Sequence, residues 1–340
     1  MGVIVSALSL AIVHIAGDNV AVVPAMAALI GDGIYATIFF AYMIFGAIVA
    51  GLSAWIGAKT GRELTSVAKR LFGVRGKYGL ALAVLAVSLP ASALTGGYFA
   101  GQLLHNLTGM PYIFAMTVCI TVCSCLATGC GRELLQLSNY LALLLIPAVG
   151  IILVALVNTV QTVPLNNPNS LNDISWPLVL ALIGYNAGGM RSALVVEAGT
   201  YLTTKDSTGV FLAILAKFFE GLFTLLLAHL VLLGGTTGQM PLPDVAEKIF
   251  GTWGSLGFNS ILLCIFINTM VPAMLLNAKQ ISVLTRLPFL SALAIAGVLV
   301  WSGSFISLDV MLKIMSGTGL FMVVYIVCIA YFLHKQGPNK

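Results

Sequence analysis

HIAGDNVAVVP, residues 14–24, lies in the middle of the first long apolar stretch of the chain. It places a histidine, a glycine, an aspartate and a proline where lipid favours leucine. An apolar run at membrane depth is expected to be a helix, because lipid offers no partner to free backbone groups. Unwinding near Gly17 frees such groups, which is tolerated only where they line a cavity. Freed carbonyls such as that of Ala16 suit a cation, while half-helix N-termini suit an anionic or accepting group. Asp18 adds a titratable charge, and His14 lies one turn before it, so both can face one cavity. An ionisable residue inside a span is a functional hypothesis by default.

Composition sets the frame for that stretch. Of 340 residues, 59% are hydrophobic and 8% are charged, against about 25% charged in soluble domains. So little polar surface cannot cover a water-soluble fold, and a polytopic all-α membrane protein is expected. Ten apolar stretches approach the ~20 residues that a bilayer core demands. They are 2–30, 33–57, 78–104, 111–129, 138–160, 177–203, 208–234, 255–278, 288–303 and 308–333, here called spans 1 to 10. No cleavable signal peptide is expected, since the apolar run from Met1 exceeds a signal h-region. MGVIVS also fits an N-myristoylation pattern, but a segment that inserts by itself needs no acyl anchor.

Lysine and arginine give the orientation. With the N-terminus in the cytoplasm, the cytoplasmic side holds Lys59, Arg62, Lys69, Arg70, Arg75, Lys77, Arg132, Lys205, Lys279, Arg286, Lys335 and Lys340. The outer side holds only Lys248, and Arg191, Lys217 and Lys313 fall inside spans. Both termini are thus expected in the cytoplasm, with the protein in the plasma (inner) membrane. The net charge of +5 is this positive-inside bias and implies no nucleic acid. Cys119, Cys123, Cys125, Cys130, Cys264 and Cys328 lie in or at the ends of spans. They read as small packing residues, the alternative being a metal site around Cys119, Cys123 and Cys130.

The polar segment 161–176 divides the chain into 1–160 and 177–340, with five spans in each half of one membrane domain. A second irregular stretch, GYNAGGMRS (184–192), interrupts span 6. Its centre near Ala187 lies 170 residues after Gly17, half of 340. Interrupted spans at matching places in two halves are the best pointer in sequence to a transporter binding site. AKTGRELTSVAKRLFGVRGK (58–77) reads as a short basic amphipathic helix on the inner face, and its echo GREL (131–134) as chance or shared helix-end chemistry. PLPDVAEKIF (241–250) reads as a short outer surface helix, either a lid or a plain loop helix.

Within span 6, Tyr185 offers a stacking face and a hydroxyl, Asn186 a donor and an acceptor, and Gly188 and Gly189 let the backbone open. This set suits a planar polar ligand. Gly184 and Gly188 also fit a close helix contact, and both uses can coexist. Arg191 and Glu197 follow, Glu197 as a proton carrier, an inner-gate residue or a structural partner. Lys217 and Glu220, three apart, are expected to pair directly. Span 8 offers hard ligands for a small cation in Asn268 and Thr269, with Pro272 and Asn277 beyond. Span 3 contributes Ser88, Ser92, Thr95 and Tyr98, and span 10 Ser316 and Thr318.

Ten spans in a five-plus-five arrangement with spans 1 and 6 broken resemble the LeuT-type inverted repeat of the amino acid–polyamine–organocation superfamily. IGAKTGRELTSVAKRLFGVRG (56–76), NLTGMP, LALIGYNAGG and NTMVPAMLLNA look most like the nucleobase–cation symporters, particularly the cytosine permeases. That resemblance implies a cation between spans 1 and 8, near Ala16, Asn268 and Thr269. It implies a substrate between spans 1, 3, 6 and 8, at Gly17, Asp18, Asn19, Ser92, Thr95, Tyr185, Asn186 and Gly188. Typical members have twelve spans. Ser92 stands where the family has an aromatic that stacks on the base.

The expected function is cation-coupled symport of a small polar organic solute, a nucleobase or related heterocycle. Sodium or protons would be the coupling ion, His14, Asp18 and Glu197 its further candidate groups, and no resident cofactor is required. Alternatives are a divalent-metal carrier using His14, Asp18, Asn19 and Met190, and a non-transporting ligand sensor. No nucleophile–base set, phosphate loop or closed metal motif points to an enzyme.

Overall fold

The computed structural model describes residues 33–129, 176–185, 207–234 and 241–335, with single positions among 23–27, 150–154 and 193–200. Among these residues every element is helical. Five helices are long and apolar enough to cross a membrane: Gly33–Thr60, Leu64–Thr108, Gly209–Gly234, Leu242–Thr285 and Val310–Lys335. They carry spans 2, 3, 7, 8 and 10. The shorter helices Tyr112–Gly129 and Phe289–Gly303 are spans 4 and 9, and Trp176–Ile183 opens span 6.

Span ends follow local chemistry. Gly61 turns left-handed at φ 59° and donates its amide to the Gly57 carbonyl at 2.8 Å, which stops span 2. Gly109, at φ 71°, stops span 3 the same way on the His105 carbonyl. Glycine adopts such angles without a Cβ clash. Span 8 ends on Arg286 at φ 63°, two residues before Pro288.

Contacts between the halves show an inverted repeat. In spans 2 and 7, Tyr35 meets His229, Tyr42 meets Lys217 and Gly51 meets Ile214. In spans 3 and 8, Ser88 meets Asn277 and Phe99 meets Phe266. In both pairs the numbers rise along one helix as they fall along the other, so the related helices run antiparallel.

The repeat is also written in sequence. LTSVAKRLFGVRGKYG (64–79) and LPDVAEKIFGTWGSLG (242–257) share a leucine, Val-Ala, Phe-Gly and two later glycines at a constant offset of 178. Both fold alike. Leu64, Val67 and Ala68 are buried, as are Leu242, Val245 and Ala246. Gly73 then turns the chain at φ 70°, ψ −164°, and Gly251 at φ 66°, ψ −165°. That backbone region is essentially glycine's alone. Three residues on, a Cβ at Gly76 would strike Phe72 and one at Gly254 would strike Phe250. Because spans 3 and 8 are antiparallel, the two copies lie at opposite ends of the molecule.

The amphipathic helix expected over 58–77 is therefore a limb that starts at Leu64 and bends at Gly73. The helix expected at 241–250 is its counterpart. The offset of 178, against the 170 separating the irregular stretches, leaves eight more residues between break and limb in the second half.

Candidate substrate and ion site

Of the residues assigned to the site from sequence, Ser92, Thr95, Tyr185 and Thr269 are described with their side chains, and Asn268 lies within the span 8 helix. His14, Ala16, Gly17, Asp18, Asn19, Asn186, Gly188 and Glu197 lie outside the described residues, as do Arg191, Gly189 and Met190.

Span 3 is irregular where the site is expected. Pro90 removes one backbone donor, and Ala93–Phe99 is π-helical. Single π turns inside α-helices occur frequently at functional sites. The segment is met from outside: the hydroxyl of Ser304, just past span 9, shares its one proton between the Val300 carbonyl at 2.8 Å and the Ala93 carbonyl at 3.2 Å. Gly96 and Gly97 admit this packing, since a Cβ at either would strike Met270 or Ser304 respectively.

Asn277 ties spans 3 and 8 together. It accepts from Ser88 and donates Nδ2 to the Ser92 oxygen at 2.9 Å. Ser92 in turn donates to the Ser88 carbonyl at 2.7 Å. All three side chains are buried. Ser92 therefore belongs to a polar brace between two helices, and one lone pair is left for any ligand. About two turns further along span 3, Phe99 stacks on Phe266 of span 8 with ring centroids 5.6 Å apart.

Thr95 donates to the Ala91 carbonyl at 2.7 Å, and Thr269 to the Ile265 carbonyl at 3.1 Å. Each hydroxyl has spent its one proton inside its own helix and has only acceptor capacity left. Such oxygens suit a hard cation or a ligand N–H. Tyr185 is buried at the end of the described part of span 6. Beside it Gly184 lies against span 10, where a Cβ would sit 3.0 Å from Leu320 Cγ. The close helix contact expected of Gly184 is thus present.

Lys217 and Glu220 pair as their spacing implies, Nζ to Oε2 at 2.7 Å, with side chains 2% and 0% exposed. Spacing does not reveal their neighbour on span 2. The Tyr42 ring lies 5.6 Å from Lys217 Nζ, within the π-helical segment Phe39–Gly46. Outside the spans, burial and the neighbouring Glu247 push the Asp244 carboxyl up, against the lowering pull of Lys248.

An open groove of about 690 Å³ between spans 4 and 9 is lined by Thr117, Thr121, Ser124, Gly297 and Trp301 among others, and by none of the expected site residues. Among the described residues no three His, Cys, Asp or Glu side chains gather as metal ligands.

No family model matches the sequence, and no curated protein matches it. Solved structures do. One is Mhp1, a nucleobase-cation-symport-1 family transporter, closed with bromovinylhydantoin bound. It is similar at TM-score 0.70 and 12% identity, over 98% of this chain and 94% of that one. MhsT in complex with L-phenylalanine is similar at TM-score 0.63 and 16% identity, over 96% and 87%. The Eremococcus coleocola manganese transporter is similar at TM-score 0.60 and 14% identity, over 94% and 76%. The chain is an integral, multi-pass membrane protein with the LeuT-type transporter fold.

Proposed function

We propose that this chain is a cation-coupled secondary symporter that imports a small polar organic solute by alternating access. The solute class is a nucleobase or related heterocycle. The observation that carries this is the match over nearly the whole chain to Mhp1, a transporter of that symport family, at TM-score 0.70. The antiparallel pairing of spans 2 with 7 and 3 with 8 supports alternating access, because two inverted halves can exchange conformations and so open one central site to either side.

In this proposal the substrate meets Gly17, Asp18, Asn19, Tyr185, Asn186 and Gly188, with Thr95 and Ser92 offering acceptor oxygens. Sodium or a proton meets His14, Ala16, Asp18, Asn268 and Thr269, with Glu197 toward the inner side. No chemical conversion of the substrate is involved. The protein sits in the inner membrane with both termini in the cytoplasm, supported by the distribution of Lys and Arg.

The test is thermal stability of the purified protein against nucleobases, hydantoins, amino acids and divalent metals, with and without sodium. A ligand of the native state raises apparent stability by mass action. Labelled hits are then followed into proteoliposomes under imposed sodium or proton gradients. Heterocycle uptake that follows a gradient is the expected result, and equilibration indifferent to both gradients rejects coupling. Similarity to a manganese transporter favours a second reading, a divalent-metal carrier. It predicts stabilisation by metal alone, abolished in Asp18→Ala.

A further inference from the structure

The offset of 178 continues without a gap back through spans 2 and 7. It sets Phe40 against Phe218, Phe45 against Phe223, Ala50 against Ala228 and Leu52 against Leu230. It also sets Met43 against Gly221, and these two touch: a Cβ on Gly221 would strike the Met43 side chain. A contact between repeat-related residues lies on the pseudo-twofold axis. The mirror of Tyr35–His229 under the same offset is Gly51–Ala213, and Gly51 lies against the next residue, Ile214. In an inverted repeat that axis runs in the plane of the membrane. Met43 and Gly221 therefore mark the bilayer midplane.

Glu220 is the residue next to that mark, and Lys217 lies one turn away. A fully buried ion pair thus stands at the depth where a charge is most costly. Withdrawing both charges from water opposes folding, and the attraction between them only partly repays it. The scaffold does not demand the pair, because span 2 carries Phe39 and Tyr42 at the equivalent positions. Span 2 is shaped around it instead. Its π-helical turn faces span 7, and at Gly46 a Cβ would sit 3.1 Å from Lys217 Cε.

We propose that Glu220 is a proton-carrying site at the bilayer midplane, with Lys217 as its charge partner and the face of Tyr42 as a second support for the ammonium. A proton from one solution adds to a Glu220 carboxylate oxygen and breaks the bond from Lys217. The same proton leaves to the other solution when access switches. The pair passes from net neutral to one positive charge and back. While the carboxyl is neutral, the ring 5.6 Å from Nζ attracts the ammonium by its π face. From span 2 the titratable groups are Tyr42, Tyr35, bonded to His229 of span 7, and Lys59, bonded to the Leu333 carbonyl. Lys248 from the outer limb meets the Gly234 carbonyl at the far end of span 7. Spans 1 and 6 supply His14, Asp18, Arg191 and Glu197 in sequence, outside the described residues.

The experiment is pH-titrated infrared difference spectroscopy on the protein reconstituted in liposomes, read at the carbonyl stretch of a protonated carboxylic acid. A band that grows as pH is lowered is expected, and Glu220→Gln should remove it. Lys217→Met, the second variant, is expected to displace the titration of that band, because the carboxyl has lost its ammonium. Spectra identical in wild type and Glu220→Gln overturn the proposal. Should Glu220→Gln fail to fold, a titration unchanged in Lys217→Met overturns it. The proposal takes its purpose from the transport proposed above but is read independently of it. Uptake without the band rejects the proton site and leaves the transporter standing; the band without uptake does the reverse.

Discussion

The limbs 64–79 and 242–257 share one backbone and differ in what they display. The first presents Lys69, Arg70, Arg75 and Lys77. At the same positions the second has Glu247, Lys248, Trp253 and Ser255, with Trp253 86% exposed. The positions they share are those that bury, bend or make room. The positions where they differ are those that meet the surroundings. Basic side chains suit the cytoplasmic face, and an exposed tryptophan suits the headgroup belt of either interface. The same division holds at the midplane, where one half carries Phe39 and Tyr42 and the other Lys217 and Glu220. Shape is repeated between the halves and charge is not.

The largest effect is expected where the halves differ most. Lys217→Met alone leaves Glu220 buried without its ammonium and should destabilise by about 3–5 kcal/mol. Lys217→Met with Glu220→Leu should be neutral or stabilising, by up to about 4 kcal/mol. Phe39→Met, at the repeat-related and partly exposed position, should cost less than about 1.5 kcal/mol. Apparent melting temperatures of the three proteins in one detergent check this order. If the double variant melts as low as the single one, the cost is not that of a buried carboxylate deprived of its ammonium.

Next come the two bends. Gly73→Ala and Gly251→Ala each force a side chain into a region that only glycine enters freely, at about 1–3 kcal/mol. The two should cost the same and add within about 0.5 kcal/mol when combined, since the sites lie far apart. Unequal costs would show that one limb is free to relax and the other is not.

Phenylalanine before the bend separates the limbs more finely. Phe72 meets Tyr325 at 5.5 Å and Phe332 at 5.7 Å on span 10. Phe72→Ala should cost more than Phe250→Ala by the worth of an aromatic pair, about 0.5–1.5 kcal/mol. Equal melting temperatures would mean that Phe250 has a support of similar strength.

The smallest effect is confined to the second limb. The Asp244 carboxyl is raised chiefly by burial and then by Glu247. A carboxyl raised on folding contributes stability at low pH that is lost as pH climbs through its folded value. Asp244→Asn should therefore stabilise at pH 7 by less than about 1 kcal/mol once solvent screening is counted. The gain should vanish below the ordinary aspartate value of about 3.9. Ser66 stands at this position in the first limb and carries no charge; its hydroxyl donates to the Glu63 carboxylate at 3.3 Å, so Ser66→Ala should bring no gain at pH 7.

Much of the frame was legible in the residues. Span 2, expected over 33–57, runs Gly33–Thr60; span 7, expected over 208–234, runs Ser207–Gly234; span 9, expected over 288–303, runs Phe289–Gly303. Apolar length is a strong signal because lipid leaves the backbone no alternative to a helix. The repeat was legible in kind but not in register. Two broken stretches give only approximate centres, whereas Phe-Gly-x-x-Gly recurs at fixed positions. The four-residue echo GREL stands out more readily than the repeat of 64–79 at 242–257, which charge disguises because one copy is basic and the other nearly neutral. At the candidate site, the place of Ser92 in span 3 points to a ligand. Its bonds to Asn277 and Ser88 come from a helix 185 residues further on and from the preceding turn.

The sequence by itself determined that the chain lives in a membrane, where its helices run, and that Lys217 and Glu220 can meet. Those properties rest on apolar length, on backbone hydrogen bonds and on the three-residue spacing of one helix turn, all local. Only the tertiary structure decided that related helices touch and at which residues, that Asn277 takes up the hydroxyls of span 3, and that Tyr42 sits over Lys217. Those depend on which faces of distant helices come together, and a single helix carries no record of its neighbours.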